Sequence, residues 1–409
     1  MYSFPNKSEF GEAAQPDLRR YNGRLILYGA GKVAEVVDYV LRQRGVEYLC
    51  FCDTYRAGGT HCGHPVISPE ELERDYSGVP VLVTTIHHRS VVEQLEAYGP
   101  REVLDSVPLL VEVDISDWGK GGEQMTEEWA ARLTSSYLIA MRSVYNPLFF
   151  ESLCVQITQK CNLNCLDCSA LIPYFRTPKH YDPDVILESF NSLMRCDGLA
   201  FRDIYLLGGE PLLYPHLKRL LDMVLSASEG AGAGVSIITN GTHLPDGDMI
   251  PLMQNPRFFL RISDYGALSV KKEPLIELLE KNQIRYEVDN YTQWYANRTV
   301  LSDPCGEEEA SKKYRLCTDA KCLILAERRL FSCCQALQLC KLNVFQENSE
   351  NSVECFTAED AQERLRTEIQ RLVQCEHLDI CHRCHGFPHT HPEHMVPPAI
   401  QAPGPLHFA

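Results

Sequence analysis

The sequence lacks a long apolar segment. No run of about 18 apolar residues, the length that spans a membrane, occurs in the 409 residues, and the first residues carry no apolar stretch typical of an export signal. Basic residues are also scarce relative to acidic ones, 39 against 55, which gives a net charge of −16. A chain this acidic is a poor partner for nucleic acid or an anionic membrane. We therefore expect a cytoplasmic protein that binds neither membrane nor nucleic acid.

Cysteine, in contrast, is abundant, with 18 residues. In a long chain without an export signal, grouped cysteines indicate metal or iron–sulfur binding rather than disulfides. One group lies in the stretch 161–168, and the other occupies the C-terminal third. The remaining cysteines fall in apolar segments and are predicted to be plain buried residues: Cys50, Cys52, Cys62, Cys154 and Cys196.

The first group consists of Cys161, Cys165 and Cys168, separated by three residues and then two. Three thiolates on one short loop can hold three irons of a cubane cluster and leave the fourth iron open for reaction. The alternative is a zinc site, which needs four ligands in a closed tetrahedral geometry. No fourth Cys or His closely follows Cys168, so the spacing favours the cluster.

This spacing, followed about forty residues later by Gly208, Gly209 and Glu210, resembles the radical S-adenosylmethionine (radical SAM) superfamily. The resemblance implies that SAM chelates the open iron and that the reduced [4Fe–4S] cluster cleaves SAM to a 5′-deoxyadenosyl radical. It also implies a flavodoxin or ferredoxin as electron donor, and that these three residues receive the methionyl amino group. A simple tight turn explains the same glycines. Asp167 stands where the family commonly has an aromatic residue.

Strand and helix patterns alternate between residues 152 and 288, and each polar motif follows a strand. Parallel α/β sheets bind ligands at such strand ends. Thr239, Asn240 and Ser263 match positions that contact the ribose or carboxylate of SAM in the family, although each also fits a helix cap. The resemblance implies a partial (β/α)6 barrel over residues 151–300, with SAM across its C-terminal mouth.

The second cysteine group surrounds a predicted β-hairpin between Lys321 and Cys333, with its turn near Glu327 and Arg328. A cysteine before a hairpin, one at its end and a distant CxxC pair resemble the twitch extension, a shortened SPASM domain, of radical SAM enzymes. The resemblance implies a second [4Fe–4S] cluster, with these ligands: Cys317, Cys333, Cys381 and Cys384, or Cys322 in the first position. A structural zinc bound by four cysteines is the alternative.

A shorter motif lies near the N-terminus. A buried strand pattern leads into Gly29 and Gly31, an amphipathic helix follows, and a second strand ends on Asp53. This order is typical of a dinucleotide-binding fingerprint, in which the glycines approach a phosphate and the acid binds a ribose. Glycines at strand–helix turns also occur for reasons of backbone geometry alone, so this domain could bind a ligand or serve only as a scaffold. The stretch resembles the Rossmann-like N-terminal domains of sugar-modifying enzymes in surface-polysaccharide pathways.

These patterns predict the domain organisation of an α/β protein. The predicted parts are a flexible arm (1–20), a Rossmann-like domain (21–113), a linker and helix (114–150), the radical SAM partial barrel (151–300), a twitch-like auxiliary iron–sulfur domain (301–386) and a disordered His/Pro-rich tail (387–409).

The sequence thus predicts a radical SAM enzyme, an oxidoreductase or other carbon-centre-modifying enzyme, that takes hydrogen from a small molecule. A nucleotide-linked sugar is the first candidate, because the N-terminal fingerprint suggests a nucleotide. One alternative is a maturase that modifies a ribosomally made peptide, and another is a non-catalytic metal-cluster scaffold. No motif identifies a catalytic residue or the outcome of the reaction.

Overall fold

A computed structural model describes most of the chain: residues 17–85, 88–111, 148–231, 233–297, 300–317, 322–355, 361–386 and 395–407, with isolated positions between 130 and 146. The chain divides into two compact units, Met1–Pro147 and Leu148–Ala409. The predicted arm before residue 17, and most of the helix predicted between 114 and 150, lie outside the described residues. The predicted flexible arm extends to residue 20, but Leu18 is buried in the core of the first unit.

The described part of the N-terminal unit is built on six strands and four helices. The strands are β1 (Ile26–Tyr28), β2 (Cys50–Cys52), β3 (Thr60–His61), β4 (His64–Ile67), β5 (Val81–Val83) and β6 (Val103–Asp105). The helices are α1 (Lys32–Gln43), α2 (Pro69–Asp75), α3 (His88–Ala97) and α4 (Val107–Leu110). Strands β1, β2 and β5 are entirely buried and apolar, as expected for parallel strands covered on both faces.

The strand order of this sheet is β3-β4-β2-β1-β5-β6. All neighbours pair in parallel except β3, which forms an antiparallel hairpin with β4. Strand β1 lies between β2 and β5, where the winding direction of the chain reverses. Such a switch point is where open α/β sheets bind ligands. Cys62, predicted to be buried, is instead exposed in the β3–β4 turn, because the turn lies at the sheet edge.

The described part of the C-terminal unit contains ten strands and seven helices. The strands are β7 (Phe149–Thr158), β8 (Ala200–Gly208), β9 (Gly234–Thr239), β10 (Phe258–Asp264), β11 (Tyr286–Asn290), β12 (Trp294–Tyr295), β13 (Leu323–Ala326), β14 (Arg329–Phe331), β15 (Ser352–Glu354) and β16 (Met395–Val396). The helices are α5 (Pro183–Met194), α6 (Leu217–Ala227), α7 (Ile250–Met253), α8 (Lys272–Lys281), α9 (Glu307–Leu316), α10 (Cys334–Lys341) and α11 (Gln362–Gln374). No helix among the described residues is long and apolar enough to cross a membrane.

Eight of these strands form one sheet in the order β11-β10-β9-β8-β7-β13-β14-β15. The first six of that order are parallel, and β14 and β15 continue antiparallel. Five of these six parallel strands belong to the region predicted as a partial barrel, and the sixth, β13, lies beyond its predicted end at residue 300. The described strands form no closed barrel. Cys154 of β7, predicted to be buried, is only half-buried.

The predicted hairpin is confirmed. Strand β13 pairs with β14 through Ala326 and Arg329, and Glu327 in the turn has φ +53°. The hairpin extends the main sheet, because β13 also pairs in parallel with β7. All four residues of β13 are apolar and buried, as expected for a strand of a sheet covered on both faces. The predicted boundary at residue 300 falls inside the compact unit Leu148–Ala409.

The tail, predicted to be disordered from 387 to 409, contains ordered chain. Residues 387–394 lie outside the described residues, but β16 pairs with β12, and the Leu406 amide donates to the Pro173 carbonyl at 2.9 Å. The prolines do not forbid regular structure here, contrary to the prediction, since Met395–Val396 forms a strand. They leave an extended segment free to bond through the remaining backbone groups.

Candidate functional site

The carboxyl ends of four neighbouring parallel strands carry the predicted motif residues. The cysteine loop follows β7, Gly208 is the last residue of β8, Thr239 is the last of β9, and Ser263 is the penultimate residue of β10. Because parallel strands end at the same edge of a sheet, motifs about a hundred residues apart in sequence converge. The sequence pattern predicts this edge as the site.

Gly208 and Gly209 bring the backbone after β8 against the start of the cysteine loop. The Gly209 amide donates to the Thr158 carbonyl at 2.9 Å, and the Glu210 amide donates to the Lys160 carbonyl at 2.8 Å. A Cβ atom at Gly208 would overlap the Thr158 carbonyl, and one at Gly209 would overlap that of Lys160. The glycines are therefore required for this backbone-to-backbone approach, whatever ligand the turn binds.

Glu210 is fully buried and links the ends of β8 and β9. Its Oε1 accepts hydrogen bonds from the Leu212 amide and the Thr239 hydroxyl, both at 2.9 Å, and its Oε2 accepts from the Asn240 amide at 2.8 Å. Burial raises the pKa of Glu210, and the three donors act in the opposite direction. The predicted contact with the methionyl amino group would therefore use a carboxylate that already joins the ends of β8 and β9 by hydrogen bonds.

Asn240 connects the end of β9 to the cysteine loop. Its Nδ2 lies 3.2 Å from Asn162 Oδ1 and 3.7 Å from Cys161 Sγ. The Thr242 hydroxyl donates to the same Asn162 oxygen at 3.1 Å. The sequence predicts a role for Asn240 but not for Asn162 or Thr242. The only sequence feature that could have indicated these two residues is their position next to Cys161 and close to Asn240.

Ser263 is buried and bonded through its backbone. The Ser269 hydroxyl lies 3.3 Å from the Ser263 carbonyl oxygen and 2.8 Å from that of Asn240. This single hydroxyl therefore holds the ends of β9 and β10 together. Ser269 was not predicted, because a serine after a strand and a short turn is common in any loop.

Each sulfur of the first cysteine group faces N–H donors. A backbone amide of the loop donates to Cys161 at 3.4 Å, the Gln401 side-chain amide donates to Cys165 at 3.2 Å, and amides of residues 170–172 face Cys168. Burial raises the pKa of Cys161 to about 12 and that of Cys165 to about 11. A metal that bound these sulfurs would therefore have to displace their protons. Three sulfurs on one loop, each with donors, fit a cluster held by three thiolates.

The segment around Gln401 runs along this loop. The Leu166 amide donates to the Ile400 carbonyl at 2.7 Å, the Ala402 amide to the Asn164 carbonyl at 2.6 Å, and the Asn164 amide to Gln401 Oε1 at 2.8 Å. Sequence reasoning missed this contact entirely. The bonded residues are more than 230 positions apart, and no local pattern indicates such a pairing.

The second cysteine group surrounds one cavity. Four cysteines line it, together with apolar Leu378 and Ile380, and they are the four predicted first: Cys317, Cys333, Cys381 and Cys384. Cys322, the predicted alternate, is not among the lining residues. The cavity lies where the end of α9, the start of α10 and the turn Asp379–His382 meet. Burial raises the pKa of Cys381 to about 11.

Neither cysteine group has the spacing of ligands on a single ion. A tetrahedral zinc with bonds of about 2.3 Å holds its sulfurs about 3.8 Å apart. Among the described residues, one group of His, Cys, Asp or Glu has its ligand atoms all within 4.8 Å of one another, and it contains no cysteine. In a polynuclear cluster each cysteine binds a different iron, so the sulfurs need not lie as close together as the ligands of one ion.

The N-terminal glycines have different roles. Gly29 has φ +109°, and a Cβ atom there would lie 3.2 Å from the Thr84 carbonyl, so the backbone itself requires glycine. A Cβ atom at Gly31, which precedes α1, would contact nothing within 4 Å. Asp53, predicted to bind a ribose, accepts from the Ala30 amide at 2.9 Å and caps the following turn with its other oxygen. Nucleotide binding here stays a prediction.

Comparison with solved structures gives partial likenesses at low identity. Streptococcus suis SuiB bound to S-adenosylmethionine is 13% identical, with a TM-score of 0.27, over 41% of this chain and 38% of SuiB. The histidine-tagged form of anSMEcpe with bound AdoMet is 12% identical, with a TM-score of 0.37, over 55% of this chain and 83% of that one. BtrN in complex with AdoMet and 2-DOIA is 14% identical, with a TM-score of 0.34, over 55% of this chain and 88% of BtrN.

The chain thus spans less than half of SuiB, and at these TM-scores none of the likenesses supports a substrate. No curated protein sequence matches the chain. Residues 155–270 match the Radical SAM superfamily. The matched range begins within β7, includes the first cysteine group and the glycine turn, and ends after β10. Residues 155–270 of this chain are therefore similar to the radical SAM superfamily.

Proposed function

We propose that the protein is a radical SAM enzyme in which Cys161, Cys165 and Cys168 bind a [4Fe–4S] cluster and SAM binds beside it, at the carboxyl ends of β7 to β10. One observation carries the proposal. The cysteine loop, the glycine turn and the turn after β9 meet at one sheet edge and are bonded together through Glu210 and Asn240.

When bound and reduced, the cluster supplies the electron that cleaves SAM to a 5′-deoxyadenosyl radical able to take hydrogen from an unactivated carbon. The chain supplies binding, orientation and exclusion of water. The Asn240 amide lies against Cys161, and the Glu210 carboxylate, with three of its acceptor positions occupied, retains capacity for an ammonium group. A flavodoxin or ferredoxin is the external electron donor in this proposal.

The proposal includes a second [4Fe–4S] cluster in the cavity lined by Cys317, Cys333, Cys381 and Cys384. Their shared cavity supports it. If these residues held a cluster, it would supply either an electron acceptor, which would favour an oxidation, or a binding group for the substrate. This extension of the main sheet by a hairpin and a cysteine cavity is the part that resembles a twitch extension.

The substrate class that we propose is a small molecule carrying a phosphate, such as a nucleotide-linked sugar. Its support is the Rossmann-like order of the N-terminal unit, with β1 at the switch point and open space beside Gly31 at the start of α1. Deuterated candidates test this class. Deuterium transfer into 5′-deoxyadenosine from a sugar nucleotide supports it, and transfer from a peptide supports the maturase alternative instead.

The activity itself is tested by measuring 5′-deoxyadenosine after the iron-loaded protein is reduced by dithionite or flavodoxin in the presence of SAM. We expect the wild type to form it and Cys165→Ala to form none. Cys154→Ala is the matched control, because Cys154 lies in β7 outside both groups, and we expect it to behave as the wild type. No product from fully iron-loaded wild type would favour the scaffold alternative.

The second cluster is tested by iron content. We expect about eight irons in the wild type, about four for each cluster, and about four in Cys384→Ala, with Mössbauer spectra of cubane clusters. Cys340→Ala is the control, because Cys340 is buried nearby in α10 but does not line the cavity, and it should keep both clusters. Four irons in the wild type, with zinc bound by the second group, would contradict the second cluster and leave the first intact.

A further inference from the structure

Two histidines and a glutamate outside both cysteine groups bring their ligand atoms together. Glu307 is the first residue of α9, and His377 and His382 lie on the chain after α11. His377 Nε2 lies 3.0 Å from Glu307 Oε2, and His382 Nε2 lies 3.9 Å from Glu307 Oε1. One ligand atom from each residue lies within 4.8 Å of the others.

Both imidazole rings are oriented by hydrogen bonds on their other nitrogen. His382 Nδ1 lies 2.9 Å from the Cys305 carbonyl oxygen, which can only accept, so Nδ1 carries a proton. In the neutral ring Nε2 is then an unprotonated ligand atom. His377 Nδ1 lies 3.1 Å from the Ser311 hydroxyl, which is able to accept in the same way. Metal-binding histidines show this arrangement, because the outer bond fixes the tautomer and the ring direction.

A simple ion pair does not account for the whole arrangement. The pair of His377 with Glu307 uses one histidine, but a second ring is held with its Nε2 towards the other carboxylate oxygen. The two rings are 4.9 Å apart and nearly perpendicular, at 89°. A shared metal ion explains why both Nε2 atoms converge.

We propose that Glu307, His377 and His382 bind a divalent transition-metal ion, for which zinc is the best match. Imidazole and carboxylate ligands suit zinc, and bonds of about 2.0–2.2 Å place tetrahedral ligand atoms about 3.3–3.6 Å apart. The spacings of 3.0 and 3.9 Å bracket that value. The Glu307 side chain is 81% exposed, so it can adjust and the ion can enter from solvent. Water would complete the coordination.

The site joins two segments that form the second cysteine cavity. Glu307 begins α9, which leads to Cys317, and His382 directly follows Cys381. An ion bound by both segments would hold them together. The ion site itself needs neither cluster, so this inference goes beyond the proposed function and can fail or succeed independently of it.

The experiment measures zinc bound by the full-length, iron-loaded protein after dialysis against zinc chloride. Four proteins are compared: the wild type, Glu307→Gln, His377→Gln and the control Glu308→Gln. The control removes the same charge from the same first turn of α9 without removing a ligand. We expect the wild type and the control to hold one more zinc per chain than the two ligand variants. Equal zinc content in all four would overturn the proposal.

Zinc bound by other cysteines or by the His-rich tail is present in all four proteins and cancels in the comparison. X-ray absorption at the zinc edge then identifies the ligands of the additional ion. Nitrogen and oxygen neighbours at about 2.0–2.2 Å are expected, and a shell of sulfur alone at about 2.3 Å would contradict the site.

One further variant keeps the test decisive if a ligand variant loses iron or fails to fold. Ser311→Ala retains all three ligands and removes only the hydroxyl beside His377. Loss of such an outer partner typically weakens metal binding about 10–100-fold. We expect zinc affinity to fall within that range with iron content unchanged. Unchanged zinc affinity in Ser311→Ala would overturn the site.

Discussion

The side-chain amide of Gln401 donates a hydrogen bond to the sulfur of Cys165 at 3.2 Å, across 236 positions of sequence. The same residue accepts from the Asn164 amide through its Oε1. Cys165 is one of the three proposed ligands of the catalytic cluster. Hydrogen bonds to cluster sulfurs stabilise the reduced state and raise the reduction potential. The C-terminal segment therefore contributes directly to the electrostatics of the site.

Gln401→Leu should lower the reduction potential of the first cluster. Removing one hydrogen bond of about 0.5–1.5 kcal/mol corresponds to about 20–60 mV for a one-electron couple. Redox titration followed by electron paramagnetic resonance measures the shift. Gln254→Leu is the control, because its amide bonds to the Asn282 carbonyl instead. A potential equal to that of the wild type would show that the bond does not persist in the loaded protein.

Glu210→Gln should weaken SAM binding without removing iron. The carboxylate bonds to Leu212, Thr239 and Asn240 and to no cysteine, so the cluster ligands stay in place. Loss of a charge-assisted hydrogen bond to the methionyl amino group costs about 1.5–3 kcal/mol, which is about 10–150-fold in the SAM dissociation constant. Calorimetry on the iron-loaded protein measures it.

The control for Glu210 is Glu188→Gln, an exposed acid on α5. It should bind SAM as the wild type does. If Glu210→Gln also kept the affinity of the wild type, the carboxylate would serve only to join the ends of β8 and β9. Circular dichroism and iron content must match the wild type before either result is interpreted.

Glu327, in the hairpin turn, should make the stability of the C-terminal unit depend on pH. Burial acts to raise its pKa, but Lys179 at 2.8 Å and Lys341 at 3.0 Å hold the pKa below its usual value. A carboxylate whose pKa is lower in the folded state stabilises the fold above its unfolded pKa of about 4.3, and that contribution is lost as pH falls through the folded value.

We therefore expect Glu327→Gln to lose about 1–2 kcal/mol of unfolding free energy at pH 7, and the difference from the wild type to shrink below about pH 4. Urea unfolding at several pH values measures it. Glu350→Gln, an exposed acid in the same region, should lose little at any pH. A difference that stayed constant down to pH 3 would contradict the ion-pair origin.

Gly31→Val should separate ligand binding from folding in the N-terminal unit. A side chain there meets nothing within 4 Å, so the fold should be retained, whereas Gly29→Ala at φ +109° should cost about 1–2 kcal/mol. If the turn binds a phosphate, Gly31→Val lowers turnover of the true substrate while SAM cleavage without substrate persists. Turnover equal to that of the wild type would make this unit a scaffold.

The sequence predicts those parts of the site that depend on short-range order. The cysteine spacing from Cys161 to Cys168, and the position of each polar motif after an apolar strand, are local patterns. Parallel strands place their carboxyl ends at one edge, so the convergence of the motifs follows from the strand order alone. The hairpin turn at Glu327 is local in the same sense, and the structure confirms it.

Only the tertiary structure could decide contacts between distant segments. The bond from Gln401 to Cys165, the pairing of β13 with β7 and the approach of Glu307 to His377 join residues far apart in sequence. Such pairings depend on sheet register and on how loops pack, and no single segment encodes them. Spacing selected the four cysteines of the second group, but the cavity that they share exists because two helix ends and a turn pack together.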